Sequence, residues 1–169
     1  MKPLTLIVDD AEAIRRLGSR LAGMLRAGDL VLLSGDLGAG KTTLTQGIGA
    51  GMDVRGQVAS PTFIIARVHP ALGDGPDLVH VDAYRLQSFD EVDALDLDTA
   101  LEDSVTVVEW GTGKMESLTP NRLEIDIRRP HGASGESPAD LAAPAPREVT
   151  LRGVGERWAG AELAELRSP

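Results

Sequence analysis

The chain has 169 residues, of which 42% are hydrophobic, which is enough for one domain with a continuous core. Its net charge of −9 should repel a phosphate backbone, so any role with nucleic acid would need a basic partner. The absence of cysteine excludes disulfides, thiolate catalysis and cysteine-zinc sites, and the three histidines lack metal-ligand spacing. The sequence has no signal-peptide pattern and no apolar run near the roughly 20 residues of a membrane span. We therefore expect a soluble cytoplasmic protein with no membrane partner.

The first predicted elements are a strand and an amphipathic helix. Leu4 to Val8 form an apolar run, and Asp9 or Asp10 can cap the helix that follows. The apolar positions of this helix recur with helical spacing, at Ile14, Leu17, Leu21, Met24 and Leu25. This stripe predicts a helix that packs on a sheet and has a structural role.

Residues 35–42, Gly-Asp-Leu-Gly-Ala-Gly-Lys-Thr, match the phosphate-loop pattern G-x-x-x-x-G-K-S/T. The apolar run from Leu30 to Leu33 can form the strand before the loop, and Thr42 to Ile48 can open the helix after it. In such a loop, backbone N–H groups hold the α- and β-phosphates, the lysine reaches the β- and γ-phosphates, and the hydroxyl binds Mg²⁺. The alternative is a glycine-rich turn that happens to carry a lysine, but the flanking strand and helix favour a nucleotide site. The predicted nucleotide-binding residues are Gly35, Asp36, Leu37, Gly38, Ala39, Gly40, Lys41, Thr42 and Thr43.

Two features follow the loop. Gly47, Gly49 and Gly51 weaken the end of the next helix and would permit either close packing or motion. Pro61 restrains the backbone on both sides of it, which predicts a shaped loop that exposes the hydroxyls of Ser60 and Thr62. These hydroxyls could sense the γ-phosphate through Mg²⁺ or water, or the segment could be an ordinary turn before a strand.

Two later strands end at acidic residues. Leu78 to Val81 lead to Asp82, and Val105 to Val108 lead to Glu109. In a parallel sheet both acids would lie at the carboxyl edge, where ligands bind, and would point toward the phosphate loop. They could divide the tasks of binding Mg²⁺ and orienting an attacking water. The alternative is that each acid is a solvated residue at a strand end.

Aromatic and cationic residues lie beside the two acids. Tyr84 and Trp110 could contact nucleotide, form a partner surface or cover the edge of the core. Arg85 could pair with Asp82 or with the acidic segment that follows. That segment, Asp90 to Asp103, predicts one or two short helices with a solvated face and no chemistry.

The last third of the chain predicts two strands and a closing helix. Leu123 to Ile127 and Glu148 to Arg152 alternate as half-buried strands, and the long segment between them, 130–146, is rich in Pro, Gly, Ala and Ser. We expect a hairpin with a mobile insertion, followed by a helix from Gly155 to Arg167. The whole chain, 1–169, is predicted to be a single domain.

Four stretches, taken together, resemble the TsaE family, also called YjeE. They are the phosphate loop, Ser60-Pro-Thr-Phe63, His80-Val-Asp-Ala-Tyr-Arg-Leu86 and Val108-Glu-Trp110, and they occur in the family's order and at about its spacing. The resemblance runs from about Leu4 to Arg129, leaves 130–146 uncovered and resumes at a terminal Gly-Glu-Arg-Trp. The family consists of bacterial ATPases needed to make threonylcarbamoyladenosine in tRNA.

The resemblance implies a P-loop NTPase-like, three-layer α/β fold with a mostly parallel central sheet extended by antiparallel strands. It implies ATP and Mg²⁺ as cofactors, and an ATPase subunit that supports partner proteins of the TsaD and TsaB type. Those partners, rather than this chain, would transfer the threonylcarbamoyl group and hold the tRNA. Contact with tRNA would thus be indirect, and no DNA partner is expected.

Matching the motifs position by position implies roles for individual residues. Lys41 would contact phosphate, Thr42 and Glu109 would bind Mg²⁺, and Asp82 would act near the metal or the attacking water, so that Lys41, Asp82 and Glu109 form the catalytic set. Ser60 and Thr62 would belong to a switch-like loop, and Tyr84, Arg85 and Trp110 to a catalytic or partner rim. Many relatives continue Glu-Trp with Pro and an acidic or amide residue, whereas Gly111 and Thr112 follow here.

Three other function classes compete with this interpretation. A small-molecule kinase, which is the principal alternative, would need an acceptor pocket and normally an arginine-bearing lid, and the segment after Asp82 is acidic and poor in arginine. A GTPase switch would need a guanine-reading Asn-Lys-x-Asp stretch, which the sequence lacks. A binding module without hydrolysis could dispense with one of the two acids, and both are present.

Overall fold

A computed structural model describes residues 2–35, 39–56, 58, 66–83, 101–110, 116, 119–129 and 146–167. Within these residues the chain forms an α/β fold around one seven-stranded mixed sheet. The strands are β1 (Leu4–Val8), β2 (Leu30–Gly35), β3 (Ala66–His69), β4 (Asp77–Asp82), β5 (Ser104–Glu109), β6 (Arg122–Arg128) and β7 (Arg147–Val154). The helices are α1 (Ala11–Ala22), α2 (Lys41–Met52), α3 (Glu156–Ala159) and a 3₁₀ helix (Leu163–Arg167).

The centre of the sheet is parallel and its edges are antiparallel. The strand order is β1-β7-β6-β2-β5-β4-β3. β2 runs parallel to both of its neighbours, β5 and β6, and β5 runs parallel to β4. The pairs β3–β4, β6–β7 and β1–β7 are antiparallel. The predicted sheet, mostly parallel at its centre and extended by antiparallel strands, is confirmed.

The helices α1 and α2 pack on one face of the sheet. Asp10 caps α1, because its side chain accepts a hydrogen bond of 2.8 Å from the backbone N–H of Ala13. The helix ends at Ala22, so the predicted stripe is longer than the helix; Met24 and Leu25 pack against the core from the turn that follows. The resulting core contains residues from both helices and from the sheet, including Leu17, Leu21, Leu44, Ile48, Val31, Leu33 and Val107.

Glycines bring the two helices close together. A Cβ on Gly47 would overlap the backbone carbonyl of Arg15, and one on Gly51 would lie 2.6 Å from the carbonyl oxygen of Ser19. On α1, a Cβ on Gly18 would in turn collide with the backbone of α2. Of the two roles left open by the sequence, the structure therefore shows close packing.

A second, smaller apolar cluster lies on the opposite face of the sheet. It contains Leu30, Leu32, Val79, Val81, Ala83, Leu101 and Val108. Because β2 contributes residues to both clusters, its first four residues are all buried, as expected for a central parallel strand. The predicted helices of Asp90 to Asp103 lie outside the described residues except for the last three positions.

The prediction of one helix from Gly155 to Arg167 is wrong. The chain forms α3, turns at Gly160 and continues as the short 3₁₀ helix. Glycine is a poor helix former and ends α3 here. The break lets Trp158, Leu163 and Leu166 all reach the core on the α1 side of the sheet.

None of the helices in the described residues is long and apolar enough to cross a membrane. The predicted insertion lies outside the described residues, apart from Pro146 at its end. Its mobility and the single-domain organisation stay predictions.

Candidate functional site

The phosphate loop begins and ends at glycines that no other residue could replace without strain. Gly35 has φ +142°, and a Cβ there would overlap the carbonyl of Ile127 on β6. Gly40 has φ +117°, and a Cβ there would lie 2.9 Å from the side chain of Ile14. L-residues rarely adopt either conformation. Asp36, Leu37 and Gly38, which the sequence assigns to nucleotide binding, lie outside the described residues.

Lys41 is the first residue of α2, and its ammonium group lies against the loop. The Nζ atom donates a hydrogen bond of 2.8 Å to the carbonyl oxygen of Gly35 and lies 4.1 Å from the centroid of the Trp110 ring. The lysine side chain is almost fully buried. A buried cation beside the start of the loop is suited to meeting an anionic phosphate.

The hydroxyl of Thr42 lies against the carboxylate of Glu109. Its Oγ1 donates to Oε1 and Oε2 at 3.1 and 3.2 Å. Glu109 is only 5% exposed because it ends β5, which pairs directly with β2, the strand that leads into the loop. The structure thus brings together two predicted site residues that lie 67 positions apart.

These two oxygen donors fit the chemistry of Mg²⁺. Mg²⁺ in nucleotide sites is usually held by one or two protein groups, with phosphate oxygens and waters completing the shell. Among the described residues, no group of three or more His, Asp or Glu side chains could hold a metal by itself. Within the part of the chain that the structure describes, Thr42 and Glu109 bring a hydroxyl and a carboxylate together at the N-terminus of α2, where they could hold Mg²⁺.

Asp82 lies at the same edge of the sheet. It ends β4, and its Cα pairs with that of Glu109 across the parallel β4–β5 ladder. Residues paired in this way point to the same face of a sheet. The two predicted acids are therefore neighbours, with Glu109 beside the phosphate-loop strand and Asp82 one strand further away.

Trp110 has an uncommon backbone conformation. Its φ is +63°, which is rare for a bulky residue. Its N–H donates a hydrogen bond of 3.0 Å to the carbonyl oxygen of Leu33. This turn directs the indole over Lys41. Thr43 is half-buried in the first turn of α2. The other predicted switch and rim residues, Ser60, Thr62, Tyr84 and Arg85, lie outside the described residues.

Two residues in contact with this site were given no role by the sequence analysis. His80 is fully buried, and its Nε2 lies 2.5 Å from Oε2 of Glu109. His80 lies two residues before Asp82, so both side chains are on one face of β4. This two-residue strand period was the sequence signal that could have identified His80. Arg147, at the start of β7, donates from Nε to the carbonyl oxygen of Ala39 at 3.1 Å. No local pattern marks that contact, which spans 108 positions.

Comparison with known proteins gives a consistent assignment. Residues 8–136 match the family model described as "Threonylcarbamoyl adenosine biosynthesis protein TsaE". The chain is 60% identical to the tRNA threonylcarbamoyladenosine biosynthesis protein TsaE of Streptomyces coelicolor over 154 residues, covering 90% of this chain and 99% of the relative. It is 35% identical to the protein of the same name from Bacillus subtilis over 160 residues, covering 94% and 90%.

The fold has a counterpart among solved structures. The crystal structure of YdiB from Bacillus subtilis superposes with a TM-score of 0.67 at 31% sequence identity, covering 93% of this chain and 89% of that one. With the family model matched over most of the sequence and a relative aligned over nearly its whole length, the chain belongs to the TsaE family.

Proposed function

We propose that this chain is a Mg²⁺-dependent ATP hydrolase that supports threonylcarbamoyladenosine modification of tRNA. The observation that carries the proposal is the contact between Thr42 and Glu109 beside the buried ammonium of Lys41. A cation and a pair of hard oxygen donors, at the N-terminus of the helix that follows a phosphate loop, are the parts that triphosphate chemistry needs. The printed name of the family supports the choice of tRNA modification as the process.

Each residue then has a separate task. Lys41 leaves the Gly35 carbonyl and binds the β- and γ-phosphates, while Thr42 and Glu109 hold the cation. Mg²⁺, when bound, neutralises phosphate charge and keeps the phosphate oxygens oriented for in-line attack. Asp82, one strand away from Glu109, orients the attacking water. The backbone N–H groups of the loop residues hold the phosphates.

Trp110 covers the lysine. Its ring and the Gly35 carbonyl are contacts of the ammonium. Both are weaker partners for a cation than phosphate oxygens are. Binding of nucleotide is therefore expected to draw Lys41 from the ring and to change the environment of the indole.

The charge of the chain supports a role inside an assembly. At −9 the protein has no general attraction for tRNA, so partner proteins of the TsaD and TsaB type would bind the tRNA and carry out the transfer. ATP hydrolysis by this subunit would support or reset their cycle, in the cytoplasm. Contact with the tRNA itself would be indirect.

The test is ATP turnover by the purified chain, first alone and then with TsaD and TsaB from the same organism. We expect slow turnover by the chain alone and faster turnover with the partners, because control of the cycle would lie at their interface. If the partners change nothing and a small-molecule acceptor is phosphorylated instead, the protein is a kinase and the proposal fails.

A further inference from the structure

His80 has a polar environment that differs from those of its neighbours in β4. Leu78, Val79 and Val81 on either side of it in the strand pack in apolar clusters. The imidazole is fully buried, and its Nε2 contacts Oε2 of Glu109 at 2.5 Å. A carboxylate oxygen can only accept, so Nε2 is the donor. A fully buried polar ring in this strand, bonded to the proposed cation ligand, calls for an explanation beyond packing.

The ring is held rigidly. His80 pairs with Arg67 on one side and with Val107 on the other, so the backbone of β4 is fixed between two strands at this point. The Nδ1 atom is buried and meets no hydrogen-bond partner among the residues that the structure describes. The imidazole therefore directs its hydrogen-bonding capacity toward the carboxylate of Glu109.

Glu109 is thus held from two sides that differ in one respect. Thr42 donates to both carboxylate oxygens from α2, whereas His80 contacts only Oε2, from the sheet. If the Thr42 oxygen turns to a cation, its hydrogen can no longer be shared with the carboxylate in the same way. His80 is then the donor that keeps Glu109 in its rotamer, with Oε1 facing the Thr42 side.

We propose that His80 is a positioning residue for Glu109: by binding Oε2 it fixes the carboxylate so that Oε1 is presented next to Thr42. The proposal rests on the proposed function, since it concerns the Mg²⁺ ligand. It gives the His-x-Asp stretch of β4 two separate tasks, because His80 orients Glu109 while Asp82 ends the strand beside Glu109. Mutating a residue that hydrogen-bonds to a metal ligand typically costs about 10- to 100-fold in metal affinity or activity.

Two substitutions separate hydrogen bonding from packing. His80→Leu fills the site with an apolar side chain of similar bulk and removes the donor, whereas His80→Gln can return an N–H near the position of Nε2. Thr106→Val is the matched control, since Thr106 is also fully buried in the sheet, its Oγ1 has no partner among the described residues, and it pairs with Val79 on the opposite face.

The first measurement is the Mg²⁺ dependence of nucleotide binding and of turnover. For His80→Leu we expect the Mg²⁺ concentration for half-saturation to rise by about 10-fold or more, with metal-free nucleotide affinity unchanged. His80→Gln should recover most of the loss, and Thr106→Val should behave as wild type. Unchanged Mg²⁺ dependence in His80→Leu, or an equal loss in metal-free binding, or no recovery in His80→Gln, would overturn the proposal.

The second measurement needs no nucleotide. In the protein without ligand, the Nε2 proton of His80 should give a downfield NMR resonance that is absent from His80→Gln and shifts strongly in Glu109→Ala. A resonance that ignores Glu109→Ala would contradict the positioning contact itself. If the contact is seen but no variant or wild-type protein hydrolyses ATP, the proposed function fails while the contact stands.

Discussion

The buried ion pair between Arg157 and Asp29 gives the sharpest prediction about stability. The guanidinium donates from Nε and from a terminal nitrogen to the two carboxylate oxygens, both at 2.9 Å, and also to the carbonyl oxygen of Met24 at 2.7 Å. The Asp29 side chain is 3% exposed and that of Arg157 16%. Arg157→Met would leave the carboxylate buried with the backbone N–H of Arg26 as a remaining donor.

The size of the effect follows from this burial. Removing one member of a buried pair costs roughly 3–5 kcal/mol, and the remaining N–H favours the lower end, about 3 kcal/mol. For a protein of this length each kcal/mol shifts the melting temperature by about 2–4 °C, so we expect a fall of about 6–12 °C. Calorimetry or a circular-dichroism melt measures it. Asp29→Asn in the same chain should recover part of the loss, since it removes the uncompensated charge.

The exposed pair Arg15–Glu12 provides the matched control. Its nitrogen–oxygen distance is 2.5 Å, but the two side chains are 43% and 69% exposed. Solvent screening limits such pairs to under about 0.5 kcal/mol, so Arg15→Met should move the melting temperature by only about 1–2 °C. If the melting temperature of Arg157→Met falls no further than that of Arg15→Met, the argument from burial is refuted.

Four further predictions concern the site and the core. Lys41→Ala should abolish ATP turnover and the stabilisation by nucleotide, which in wild type is about 2.7 kcal/mol at 100 times Kd; an unchanged ATPase rate would contradict the loop assignment. Glu109→Ala should reduce Mg²⁺-dependent turnover more than metal-free nucleotide binding, and equal losses would count against a metal role. Burial lowers the pKa of His69 below 6.5, so the folded state takes up its proton at lower pH than the unfolded state does. The contribution of neutral His69 to stability is full above about pH 6.5 and is lost as the pH falls through the folded pKa. In His69→Gln the urea midpoint should therefore change less between pH 7 and pH 5 than in the wild type. In Gly47→Ala the free energy of unfolding, measured by urea denaturation, should fall by about 1–3 kcal/mol. The cost of the overlap with the Arg15 carbonyl should exceed the gain of up to about 1 kcal/mol in helix propensity. A stabilised variant would show that the two helices can move apart.

Local patterns in the sequence predicted much of the architecture. The strand before the phosphate loop, the loop itself and the helix after it are consecutive, from Leu30 to Met52, and the strands ending at Asp82 and Glu109 are short apolar runs with polar ends. Asp10 as the cap of α1 is equally local. Such features depend on backbone preferences and on side-chain period, which a window of sequence contains.

The closing helix shows where this reasoning fails. The sequence predicted one helix from Gly155 to Arg167, but the chain breaks at Gly160, and Trp158, Leu163 and Leu166 all enter the same core. Burial of the three side chains outweighed the local helical preference there, because glycine favours the helix so weakly that ending it at Gly160 costs little free energy.

The contacts between residues far apart in the sequence were decided by the tertiary structure alone. His80 meets Glu109 across 29 positions, Arg147 meets Ala39 across 108, and Arg157 meets Asp29 across 128. A period of two tells which face of a strand a residue occupies, but the residue it touches depends on strand order and register. The sequence by itself determined a phosphate loop with two acids at strand ends; the order β2-β5-β4 decided that Glu109 lies beside the loop, with His80 beneath its carboxylate.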